Sequence, residues 1–182
     1  MSETPSRRAM HHRSIEHQSW LHVDGCLEIE SRLIDTKAYD TRVGFDRELP
    51  AGQALHDMSI RILLGTDGLV REIQLRMDSA PFEICSEITR RFESLRGSSM
   101  GKGWNALLSQ HFAGADGCRH LIDLLRGMGT VVFQSLPGEW TQESVERFSD
   151  SCYAFRQNGP VVDRLRAETA VNSHEITNRD ES

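Results

Sequence analysis

Two Asp-Gly dipeptides, Asp24-Gly25 and Asp67-Gly68, each stand between stretches whose apolar residues recur at every second position, and this arrangement constrains the fold most. Asp-Gly suits a two-residue type I′ hairpin turn, whose central residues both need positive φ. The first turn follows a strand within Ser14 to Asp24, marked by Ile15, Trp20, Leu21 and Val23. It leads into a second strand, where Leu27, Ile29, Ser31, Leu33 and Asp35 alternate with Cys26, Glu28, Glu30, Arg32 and Ile34. The other turn joins His56 to Leu64, with His56, Met58, Ile60, Ile62 and Leu64 on one face, to a strand over Leu69 to Asp78. Two such hairpins make a four-stranded antiparallel sheet. Successive strand residues point to opposite faces, so Asp35 and His56 both fall on the apolar face.

Between the hairpins, residues 38 to 53 carry Gly44, Pro50 and Gly52 without periodicity and read as a loop over one end of the sheet. After Pro81 the spacing changes to that of a helix: Ile84, Cys85, Ile88, Phe92 and Leu95 recur every three or four positions until Gly97. A glycine-rich linker leads to a short apolar segment, Trp104 to Phe112. Cys118 to Leu136 reads as one long helix with Leu121, Leu124, Leu125 and Met128 as its buried stripe. Strands first and helices afterwards predict an α+β fold. Pro137 to Val162 shows no usable pattern.

Residues 1 to 13 and 163 to 182 are polar or charged, so they are predicted as disordered ends around a single domain over 14 to 162. The net charge of -6 and the absence of a long Lys/Arg run argue against nucleic acid or an anionic membrane as partner. No apolar stretch has the length of a membrane span, and Met1 to Arg13 lacks the apolar core of a secretory signal. A cytoplasmic protein is the expectation. Cys26, Cys85, Cys118 and Cys152 are irregularly spaced without a CxxC pair, as free thiols in a reducing compartment would be.

Three clusters carry candidate chemistry. His56-Asp57-Met58 opens the third strand, and an imidazole among apolar residues can move a proton near neutral pH. Asp57 points to the opposite face by parity, which makes Asp35 the better partner for His56; a buried histidine bonded to a carbonyl explains the same residues without function. In Gly117-Cys118-Arg119-His120-Leu121, the start of the long helix offers free N–H groups to Cys118 or an anion, with His120 beside it. As packing alone, Cys118 is a small core residue. Asp78 at the strand-to-helix junction and Cys85 just beyond it form the third cluster, with a turn or cap as the plain reading of Asp78. His56, Asp57, Cys85, Cys118 and His120 together contain metal-ligand chemistry, but none of the close spacings of a metal motif. Neither a P-loop nor GxGxxG is present.

The strings Leu55-His56-Asp57-Met58, Ala80-Pro81-Phe82-Glu83-Ile84-Cys85 and Gly117-Cys118-Arg119-His120-Leu121, with Asp24-Gly25 and Asp35-Thr36-Lys37 in the opening hairpin, resemble the bacterial family called domain of unknown function 2889, over roughly residues 13 to 136. The resemblance implies a shared fold and a site around His56, Asp57, Asp78, Cys85, Cys118 and His120. It also implies a setting among bacterial degradative pathways for aromatic and polycyclic compounds.

The leading expectation is a catabolic enzyme acting on a small aromatic or acidic molecule, a lyase of lignin-type or polycyclic acids that needs no cofactor and releases a fragment such as formaldehyde. His56, His120, Asp35 and Asp57 are the candidate acid/base groups. Cys118, Arg119, Cys85, Asp78 and Trp104 are the candidate substrate contacts, and no metal is assigned. Two alternatives stay open: a non-catalytic ligand-binding or accessory protein, and a metal-dependent hydrolase using the His/Cys set. A sheet with two edges leaves room for a homodimer.

Overall fold

The structure, a computed structural model, describes residues 7–135 and 140–177. Strands β1 (His11–Leu21), β2 (Leu27–Lys37), β5 (Ala54–Leu64) and β6 (Val70–Ser79) form one antiparallel sheet in the order β1-β2-β5-β6. The expected α+β fold, a four-stranded antiparallel sheet of two hairpins followed by packed helices, is therefore what the chain adopts. The segment read as a loop contains its own small hairpin, β3 (Thr41–Val43) and β4 (Arg47–Leu49), and buries Val43 and Leu49. Phe45 meets Phe82 edge-on, and Arg47 donates to the Ala80 carbonyl oxygen at 2.9 Å, which fastens this hairpin to the end of β6.

Both hairpin turns differ from the expected type I′. Gly25 and Gly68 have φ of 83° and 74°, whereas Asp24 and Asp67 do not enter the positive-φ region. The loops are three residues long: His22 N–H donates to the Cys26 carbonyl oxygen, and Gly65 N–H to that of Leu69. In each loop a turn is followed by one left-handed glycine, the three-residue alternative for a hairpin. The aspartates stabilise it by accepting from the N–H two residues on, at 3.0 Å for Cys26 and 3.1 Å for Leu69.

The inner face of the sheet carries Leu27, Ile29, Leu33, Met58, Ile60, Ile62 and Leu64, all buried. Helix α2 (Arg119–Ser135) packs across β1, β2 and β5 and contributes Leu121, Leu124, Leu125 and Met128 to the same core, as its stripe predicts. Glu83–Leu95 is helical, as expected, but in 3₁₀ rather than α conformation. Its side-chain hydroxyls take part, since Ser86, Thr89 and Ser94 each donate to the carbonyl three residues back. With three residues per turn, Phe92 and Leu95 share a face and are buried, while Ile84 stays exposed. Helix α1 (Trp104–His111) lies on α2. Trp104 is a core residue, and its indole N–H donates to the Leu125 carbonyl oxygen at 2.8 Å.

α2 follows the direction of β1. Asp123 lies opposite Arg13, Gly127 passes directly over the His17 ring, and Ser135 Oγ meets Ser19 Oγ at 2.6 Å. Twelve helical residues rise about 18 Å and six strand residues about 20 Å, so the two ladders stay matched along their length. A side chain at Gly127 would collide with His17, which explains a glycine inside this helix.

The chain divides into two compact units, residues 1–136 and 137–182, where the sequence suggests one domain over 14–162. In the second unit, α3 (Gln142–Phe148) starts with a reciprocal cap between Thr141 and Ser144, and α4 spans Pro160–Thr177. Arg166 of α4 grips Glu146 of α3 through two hydrogen bonds of 2.6 and 2.8 Å. Residues 163 to 177, read from composition as a disordered tail, belong to this helix, and residues 11 to 13, read as a disordered end, begin β1. The remainder of both predicted tails, 1–6 and 178–182, lies outside the described residues. Among the described residues no helix is long and apolar enough to cross a membrane.

Gly68 has open space around the position a Cβ would take, so Gly68→Ala probes the cost of left-handed backbone alone. We expect a loss of about 1 kcal/mol in urea unfolding with an unchanged denaturant slope.

Candidate active site around a buried carboxylate

Asp35 is 1% exposed. An isolated carboxylate at that depth is strongly unfavourable, so its partners define the site. The register of the sheet supplies them: Arg13 of β1 and His56 of β5 are the direct cross-strand neighbours of Asp35, one on each side. Arg13 donates from Nε to Oδ1 and from Nη2 to Oδ2, both at 2.8 Å. His56 Nδ1 lies 3.0 Å from Oδ2, and His11 Nε2 lies 3.0 Å from Oδ1. A bulge follows at once, because the register slips between Asp35 and Thr36 where Leu55 is the extra residue. Bulges of this kind commonly re-aim side chains beside functional sites.

Helix α2 closes the cluster from above. His120 Nε2 is 3.6 Å from Asp35 Oδ2, and its ring packs on that of His56 with centroids 3.9 Å apart. One turn on, Asp123 lies 3.6 Å from Arg13 Nη1. Cys118 Sγ lies 3.8 Å from His120 Nδ1. Residues two apart within a helix do not face each other. Cys118, however, precedes the first helical residue, and its carbonyl accepts the first helical bond from Ile122 N–H at 3.0 Å. Its side chain is therefore free of the helical spacing and reaches His120.

Protonation follows from this geometry. Burial alone would push the Asp35 carboxyl up, but the Arg13 hydrogen bonds and charge, helped by His11 and His56, hold it below the usual carboxylate value. Burial pushes His56 down despite the attraction of Asp35, and it pushes His120 down with help from His56 and Arg13. Near neutral pH the centre therefore holds an ionised Asp35 and two neutral imidazoles. A carboxylate only accepts, so the His56 proton sits on Nδ1 and the Nε2 lone pair is free.

The donor atoms of Asp35, His56 and His120 lie within 4.8 Å of one another, a compact set that could take a cation. Both Asp35 oxygens, however, already accept from Arg13, so the guanidinium supplies the positive charge that a cation would bring.

The structure brings Asp35, His56, His120 and Cys118 together and leaves the other candidates elsewhere. Asp57 faces the opposite side of the sheet, where Arg32 holds it through bonds of 2.8 and 2.7 Å. Asp78 shares that outer face and pairs with Arg76 at 3.5 Å. A concavity of about 400 Å³ lies there, lined by charges such as Glu30, Arg32, Arg61 and Arg76. Cys85 lies on the 3₁₀ helix packed against β6, and none of the site's hydrogen bonds or ion pairs reaches it. Arg119 is exposed and lines a separate groove with Ile122 and Arg126. Trp104 is a core residue, as described above, and not a substrate contact.

His11, Arg13 and Asp123 were not among the sequence candidates. Register arithmetic is the signal for Arg13. A two-residue turn at Asp24-Gly25 sets Ser14 opposite Asp35, whereas the three-residue turn sets Arg13 there. The same single step places Trp20 on the outer face, where it is 43% exposed.

Arg13→Met leaves the Asp35 charge buried without its main partner, and we expect a loss of about 3 kcal/mol in urea unfolding. Adding Asp35→Leu should recover much of it, because the unpaired charge is removed as well. Stability should also fall on acidification in two stages. Unfolded histidines protonate near about 6.5, while the half-buried His56 and His120 resist, so the unfolded chain binds more protons and stability drops below that pH. The Asp35 contribution is present above the unfolded value of about 3.9 and is lost as pH falls through its lower folded value. Urea midpoints measured from pH 8 down to about pH 3 should follow this order.

None of the curated proteins and none of the solved structures compared with the chain matches it. A family match covers residues 11–134, from the first residue of β1 almost to the end of α2, and so takes in the sheet, the 3₁₀ helix and every residue of the Asp35 cluster. Over that span the chain belongs to the family described as protein of unknown function, DUF2889.

Proposed function

We propose that the Asp35 cluster is the acid/base centre of a small-molecule enzyme, with His56 as the proton-transfer group. The observation that carries this reading is the His56 Nδ1 to Asp35 Oδ2 bond of 3.0 Å. It fixes the tautomer, orients the ring and leaves Nε2 as a base that burial keeps unprotonated near neutral pH. His120, whose ring packs tilted against that of His56, is the second proton carrier.

Lyase chemistry suits such a centre because it needs no electron acceptor. His56 removes a proton from a substrate hydroxyl, and the adjacent carbon–carbon bond breaks with release of an aldehyde such as formaldehyde. The electron pair left on the remaining fragment takes the proton back. A conjugated or aromatic acid stabilises that fragment. An acidic substrate also fits the local charge. Lys37, two residues beyond Asp35 on β2, packs beside Tyr39 and has no carboxylate partner among the described residues.

The competing reading is a non-catalytic binding or accessory protein in which the cluster only fastens β1 to β2. The saturation of Asp35 by Arg13, His11 and His56 favours it. Incubation with a panel of hydroxylated aromatic carboxylic acids, read by aldehyde release, separates the two. We expect turnover that falls by about 10²-fold or more in His56→Gln while the melting temperature changes little. Equal activity of His56→Gln and wild type on a turned-over substrate would remove His56 from the chemistry.

A further inference from the structure

We propose that Cys118 is a nucleophilic thiol that forms a reversible covalent adduct with an aldehyde, with His120 as its base and Asp35 as the group that orients His120. The three lie in series. Cys118 Sγ is 3.8 Å from Nδ1 of His120, and Nε2 of the same ring is 3.6 Å from Asp35 Oδ2. Because the ionised carboxylate attracts the ring N–H, the proton sits on Nε2 and the Nδ1 lone pair is turned to the thiol. A nucleophile, a base and an orienting third group in this order form an activated nucleophile. The His56 ring, 3.9 Å away, restricts rotation of His120.

The other thiols lack this setting. Cys26 lies in a hairpin turn beside Asp24, Cys85 on the 3₁₀ helix and Cys152 on the exposed surface of the second unit. Among the described residues no hydrogen bond joins any of these three to a histidine, so they are internal references for the fourth.

In the adduct-forming step the thiol proton passes to Nδ1 of His120 and Sγ attacks the carbonyl carbon. The carbon–sulfur bond forms as the carbonyl π pair moves onto oxygen, and His120 returns the proton to that oxygen. The product is a hemithioacetal, with no change of oxidation state and no co-reactant. The aldehyde class rests on the reaction proposed above, whereas the reactivity of the thiol rests on the geometry alone.

Full-length protein is treated with limiting iodoacetamide, and alkylation of each cysteine is followed by peptide mass spectrometry. Cys118 and Cys85 are both half-buried. We expect Cys118 to react about tenfold faster than Cys85, and His120→Gln to abolish that advantage without changing the Cys85 rate. Millimolar acetaldehyde should slow Cys118 alone, with full recovery on dilution. A wild-type Cys118 no faster than Cys85 overturns the proposal without recourse to any variant. An advantage that survives in His120→Gln overturns the assignment of the base. Fast alkylation without protection by acetaldehyde overturns the aldehyde class, and because no turnover is measured, none of these results depends on whether His56 acts as a base.

Discussion

Everything distinctive about the inner face of this sheet depends on one desolvated charge. Asp35 shares the buried face of β2 with Leu27, Ile29, Ser31 and Leu33, and the fold accommodates it by aligning Arg13 and His56 on either side. The carboxylate accepts from both, and it also draws His11 and His120. Since it can only accept, it decides which nitrogen of each ring carries the proton. A buried anion thus sets the electrostatics of the cluster and the direction in which each histidine can act. Among the described residues no buried side-chain nitrogen or oxygen lacks a partner, which is the condition under which such a network is tolerated.

The polar row has a counterpart in how α2 is seated. A helix resting on an edge strand usually does so through apolar side chains, yet β1 offers Arg13, His17 and Ser19 to α2. The helix answers with Asp123, a bare glycine and Ser135. The glycine lets the helix come close enough for the next polar contacts to form. Close seating at Gly127 also brings the start of α2, with Cys118 and His120, down onto the carboxylate. Packing several residues away therefore sets the distances at the site.

Strand parity was enough to read Asp35 and His56 onto one face, because a period of two leaves no freedom once the apolar residues are assigned. The stripe of α2 was legible for the same reason. What stayed hidden depended on single-residue detail. An Asp-Gly pair is compatible with a two- or a three-residue turn, and the choice inverts the faces of β1. Arg13 was invisible for that reason, and because a run of His and Arg near a chain end has the composition of a tail. Parity also separates Asp57 from His56 despite their adjacency along the chain, and on the opposite face Asp57 is held by Arg32. Cys118 and His120 meet across a separation of two because Cys118 precedes the helix and its side chain is not bound by helical spacing.

The placement of Arg13 has a kinetic side. β1 is an edge strand of the sheet, and a local opening costs far less free energy than unfolding a whole domain. Each opening of the first residues of β1 withdraws Arg13 and His11 together and exposes Asp35 to water or leaves it uncompensated. Docking of the strand and ionisation of the carboxylate are thus linked, so amide exchange along residues 11 to 15 reports on the integrity of the Asp35 cluster.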